Sequence, residues 1–117
     1  MTETSWKQRA YDKLLNDGWT KGRASDPETG ECCAGGAIAW AITGDPTDMY
    51  SDNYGNRYDE VRSALEEFAV SIGGDPDDDE NSADVLVLAW NDSSRRTEEE
   101  VLEAFRQLAD AEVASTT

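Results

Sequence analysis

Histidine is absent from the 117 residues, and with it go the commonest general base and the commonest metal ligand. Cysteine is confined to the adjacent pair Cys32 and Cys33, so the ligands of a tetrahedral zinc site cannot be assembled. Basic residues number 10 against 26 acidic ones, a formal net charge of −16. Gripping a phosphate backbone requires an excess of Lys and Arg that displaces counterions, so direct nucleic-acid binding is excluded. An anionic membrane surface is excluded on the same ground. No apolar run approaches the roughly 20 residues of a spanning helix. The opening stretch from Met1 to Lys7 has no hydrophobic segment of the kind a signal peptide needs, so a cytoplasmic location is expected.

Apolar residues make up only 38% of the chain, and high charge at low apolar content is a mark of disorder. Four Trp, four Tyr and two Phe oppose that reading, because aromatic side chains bury large areas. The length fits one domain over residues 1–117, with ends at 1–4 and 114–117 expected to fray. Only three of the ten basic residues are Lys, a bias that fits a GC-rich genome. The charge is uneven: residues 1–25 carry a net of +2 and residues 26–117 a net of −18. Function, solubility and a halophilic origin each account for such acidity.

The periodicity predicts a mainly α domain of four to five helices, with at most one small β-hairpin near residues 19–33. Trp6, Ala10 and Leu14, with Tyr11 and Leu15 beside them, form one apolar stripe behind an N-cap at Thr4 or Ser5. Gly18 is its stop. Asp26-Pro27-Glu28-Thr29-Gly30 carries turn chemistry that would join the two flanks of the hairpin. A short helix of small residues follows from Ala34 to Ile42; Gly35 and Gly36 weaken it by roughly 1 kcal/mol each, so close packing must compensate. Tyr58, Val61, Leu65, Phe68 and Ile72 mark the clearest helix, over 57–72. The apolar element from Ala83 to Trp90 is helix or strand. Thr97 and Glu100 form a capping box ahead of Val101, Leu102, Phe105, Leu108 and Ala109.

Candidate chemistry is sparse. Cys33 stands before a predicted helix, where the dipole would favour a thiolate, yet the chain has no His to serve as its base. A small buried side chain is the simpler reading. The acidic run holding Asp75, Asp77, Asp78, Asp79 and Glu80 invites a calcium-loop alignment, but Glu80 stands where Gly is needed and Leu86 where a bidentate Glu is needed. Gly35-Gly36 lacks the spacing and the Lys of a phosphate loop. No cofactor is expected.

The most specific segment is the turn of Trp90, Asn91, Asp92, Arg95, Arg96 and Thr97. Asn91 and Asp92 suit an Asx-turn leading into the Thr97 cap. Two Arg before a helix N-terminus oppose its dipole, so Asp92 or the first-turn glutamates should compensate them, or an anion should bind. Tyr50, Tyr54 and Tyr58 recur every four residues amid acids, either as an exposed interface edge or as a cover over the core. Together with the 75–80 acidic run, Tyr50 and Tyr54 make the candidate interface.

Several of these segments also occur in a recognisable order: Gly18-Trp19-Thr20-Lys21-Gly22, Cys33-Ala34-Gly35-Gly36-Ala37, Trp90-Asn91-Asp92, and Arg96-Thr97 with Glu100-Val101. Over residues 6–111 this order resembles a small-protein family of unknown function found in actinobacteria and their phages. Gly35 stands where a larger aliphatic residue is expected, and Ser93-Ser94-Arg95 replaces a Pro/Gly-like turn, which implies a divergent, phage-encoded member. The resemblance implies no mechanism. The leading reading is therefore a non-enzymatic acidic protein that binds a basic or nucleic-acid-binding host protein, as a monomer or weak homodimer. The alternatives are a small-ligand or anion-binding module at the Trp90–Thr97 turn and, third, a small enzyme using carboxylates or Cys33.

Overall fold

Ser5 opens the first helix with extended backbone, its hydroxyl accepting from the Gln8 amide at 3.4 Å. Helix α1 then runs Trp6–Asp17 and ends where Gly18, at φ 98°, returns its amide to Leu14. The computed structural model describes residues 5–23, 25–26, 28–46, 58–74 and 83–116. It holds four further helices: α2 Ala34–Thr43, α3 Tyr58–Ser71, α4 Ala83–Asp92 and α5 Glu98–Thr116. The mainly α class therefore holds.

The sequence allows at most one small hairpin near residues 19–33, and the segment folds as a loop. Among the described residues no strand forms; Cys32 makes two isolated bridges, one parallel to Trp19 and one antiparallel to Ser25. The loop is closed by Thr20 N–H to Cys32 O at 3.0 Å, Cys32 N–H to Gly18 O at 3.1 Å and Gly30 N–H to Asp26 O at 2.8 Å. A single residue pairing on two sides leaves no ladder to extend. Gly30 takes φ 85°, so the 26–30 turn is where its residue types place it.

Helix α2 is the central element, packed against α1, α3 and α4. Every residue from Ala34 to Ala39, with Ala41 and Ile42, is buried, so Gly35 and Gly36 lie where contact surrounds the helix. α1 buries Ala10 and Leu14 and also packs on α5. Leu15, expected beside the stripe, is 54% exposed: one residue past Leu14 is about 100° round the helix, beyond the contact. α3 buries Val61, Ala64, Leu65, Phe68 and Ala69 and packs against α4.

The ambiguous 83–90 element is helical because its buried positions, Ala83, Val87 and Asn91, recur every four residues while Val85 faces out. α5 repeats that spacing with Val101, Phe105 and Ala109. The aromatic centre joins three helices: Phe68 stacks on Phe105 at 4.5 Å and meets the edge of Trp90 at 5.4 Å. That contact fixes where the end of α4 lies relative to α5.

Candidate functional site

The Trp90–Thr97 turn sends its side chains to two different places. Asn91 is fully buried and uses its whole hydrogen-bonding capacity. Its Oδ1 accepts from Trp19 Nε1 at 2.6 Å and from the Ala34 amide at 2.8 Å. Its Nδ2 donates to Thr20 O at 3.1 Å and to Asp92 Oδ1 at 2.9 Å. Asp92 Oδ1 also accepts from the Gly22 amide at 3.0 Å, and Lys21 Nζ donates to Ser93 O at 2.8 Å. The expected Asx-turn is thus absent. Asn91 and Asp92 are the last residues of α4, and their side chains serve the 18–34 loop instead of their own turn. In particular, Asn91 satisfies one of the orphan amides at the N-terminus of α2.

Cys33 satisfies another, its Sγ accepting from the Gly36 amide at 3.2 Å. Burial pushes this thiol up to about 11, and the amides of Gly36 and Gly35 offset only part of that. Cys32 is likewise raised by burial. The simpler reading of Cys33, a small buried side chain, holds, and desolvation outweighs the helix terminus. Both thiols are buried, and neither is in a disulfide.

The other half of the turn faces α5. Arg96 lays its guanidinium over the Trp90 ring at 4.2 Å, donates from Nε to Trp90 O at 3.0 Å and pairs through Nη1 with Glu100 at 3.0 Å. The compensation expected for the arginines is thus supplied at Arg96 by a first-turn glutamate. The capping box forms as well: Glu100 Oε1 accepts from the Thr97 amide at 3.1 Å, and Thr97 Oγ1 accepts from the Glu100 amide at 3.3 Å. The Thr97 amide, with Arg96 behind it, holds the Glu100 carboxyl below its ordinary range. Arg95 is exposed.

Between these groups lies an open groove of about 400 Å³, lined by Trp90, Arg96, Thr97, Glu99, Glu100, Glu103, Ala104 and Gln107. Glu103 pairs with Arg106 at 2.6 Å and accepts from Gln107 at 3.2 Å. Trp90, Arg96 and Thr97 were legible as candidates; Glu99, Glu103, Ala104 and Gln107 were not, because heptad-like spacing marks the buried face of α5 and says little of the other. The remaining candidates, Tyr50, Tyr54, Asp75, Asp77, Asp78, Asp79 and Glu80, lie outside the described residues. Among the described residues no group of three or more His, Cys, Asp or Glu could hold a metal ion, and no helix is long and apolar enough to cross a membrane.

A second pattern escaped the sequence altogether. Each of the four tryptophans carries a cation: Lys7 on Trp6, Arg9 and Lys13 on Trp40, Lys21 on Trp19, and Arg96 on Trp90, all within 5.8 Å of the ring. Basic side chains in this acidic molecule are thus drawn onto its own rings.

The chain belongs to a family of unknown function, DUF6197, whose model matches residues 7–111. No curated protein and no solved structure matches it.

Proposed function

We propose that the protein is a non-enzymatic binding protein whose acidic surface engages a protein with a basic, nucleic-acid-binding face. On this reading it is phage-encoded and works in the cytoplasm of an actinobacterial host, as a monomer or weak homodimer. The observation that carries it is the division of charge in the fold. Cations are held by rings and carboxylates, as at Arg96, Arg62 and Arg106, while Glu98, Glu99, Glu100 and Asp110 stand exposed along α5. A surface so divided presents carboxylates outward, in the manner of a duplex backbone, and steers a basic partner towards it. The buried, protonated thiols of Cys32 and Cys33 support the non-enzymatic part.

An anion-binding module on the same turn is the weaker reading. Arg96 is committed to Trp90 and Glu100, and the start of α5 carries Glu98, Glu99 and Glu100, which repel an anion there. The test is capture of proteins from an actinobacterial lysate on the tagged protein at low and high salt, with added DNA as competitor. A basic nucleic-acid-binding protein released by salt and displaced by DNA is the expected result. Capture indifferent to ionic strength would overturn the charge-driven mechanism.

A further inference from the structure

We propose that the groove between Trp90 and the first turns of α5 is the docking site for an arginine side chain on a basic segment of the partner; this rests on the reading above and says where it acts. The groove has the size of a ligand cleft and the lining such a side chain requires. Trp90, which already carries Arg96 on its ring, supplies an aromatic surface, Ala104 an apolar wall, and Glu99, Glu100 and Glu103 three carboxylates within the first two turns of one helix. The chemistry the ring accepts is already displayed, since the chain's own Arg96 lies on it at 4.2 Å.

Charge selects the occupant. Three carboxylates against one guanidinium in the lining disfavour any anion, and the capping box occupies the Thr97 and Glu100 amides. Glu99 is exposed, and Glu103, half-buried, takes a fork of hydrogen bonds from Arg106 and accepts from Gln107. Glu99 is therefore open to an incoming N–H donor, and Glu103 receives one by exchanging its exposed Arg106 fork for that of the partner. Arginine suits the site better than lysine because its planar head bridges carboxylates and stacks on flat groups, whereas an ammonium is a strongly hydrated point charge.

The test is fluorescence polarisation with labelled nona-arginine and nona-lysine peptides at low salt. The unaltered protein is compared with Glu99→Gln/Glu103→Gln and with a control of equal charge change on α3, Asp59→Asn/Glu66→Gln. The control matches the design, since Glu66 also pairs with an arginine four residues away. Thermal melts confirm that both double variants fold. The expected result is tighter binding of nona-arginine than of nona-lysine, weakened at least about tenfold by the groove variant and less than about threefold by the control. Equal losses in the two variants, or equal affinity for the two peptides, would overturn the groove while leaving a diffuse acidic surface as the binder. Absence of binding to either peptide would sink the groove and the basic-partner reading together. Dimerisation of the unaltered protein that the groove variant abolishes would assign the groove to a second copy instead.

Discussion

Asn91 and Asp92 turn their side chains into the 18–34 loop, while Trp90, one position earlier, lies on the groove beside α5. One helix end thus serves two regions of opposite character. The first is closed: a buried amide side chain with four partners, two of them more than 70 residues away in sequence, and a buried thiol capping the helix it touches. The second is open: a half-buried tryptophan beside a charged surface whose polar pairs are local, at spacings of three, four or six residues. Buried polar groups are costly to leave unpaired, whereas exposed ion pairs contribute little. Stability should therefore reside in the first region, and the second can be altered without unfolding the protein.

The largest expected effect comes from Asn91→Ala. It leaves the Trp19 indole N–H, the Ala34 amide and the Thr20 carbonyl without their partner and opens a small cavity. A loss of about 3–5 kcal/mol in chemical denaturation follows from such unsatisfied groups. A loss below about 1 kcal/mol would mean that water replaces the side chain, and the closed region would not be closed.

Next is the alkaline limb. The Cys33 thiol is raised from 9.0 to about 11 by burial, so between those values the unfolded chain ionises first and stability falls as pH rises. Below pH 9 the effect is absent; through the window it amounts to about 2 kcal/mol. Cys33→Ser should remove that slope while retaining an N-cap acceptor for the Gly36 amide. An unchanged slope in the variant would place the titrating group elsewhere.

Arg96→Ala tests the open region. It removes a half-buried guanidinium from the Trp90 ring, the Trp90 carbonyl and Glu100, for an expected loss of about 1 kcal/mol in the same denaturation assay. A loss matching that of Asn91→Ala would erase the distinction between the regions.

The same division explains what could be read from the sequence. Helices with apolar residues spaced by three and four, such as α3 and α5, are legible because burial there follows the helical period. The 83–90 element was undecided because its deciding position is Asn91, a polar residue that pattern reading assigns to a turn. Trp19, Thr20 and Ala34 lie 57 to 72 residues before it, and no local rule pairs them. The segments quoted for the family resemblance, however, are the ones that meet: Trp19 and Ala34 on Asn91, Gly22 on Asp92, and Arg96 and Thr97 on Glu100. The Cys32 bridges stop short of a hairpin for the opposite reason, since strong turn chemistry at 26–30 does not by itself supply two strands.

The smallest effect concerns the cap that closes the groove. The Thr97 amide, and behind it the Thr97 hydroxyl and Arg96, favour the ionised form of Glu100, so its carboxyl lies below the ordinary value of 4.5. A depressed carboxyl contributes stability above its unfolded-state value, and that contribution is lost as pH falls through the folded-state value. Acid unfolding should therefore be slightly shallower in Glu100→Gln, whose amide keeps the acceptor oxygen of the capping box but cannot be protonated in this range. Because Glu100 is exposed, neutral-pH stability should change little, and added salt should shrink even that difference. Asn91→Ala should shift the whole curve at every pH and every salt concentration. If Glu100→Gln instead lowered stability as Asn91→Ala does, with no dependence on salt, the α5 cap would belong to the closed region and the groove would be part of the core's support.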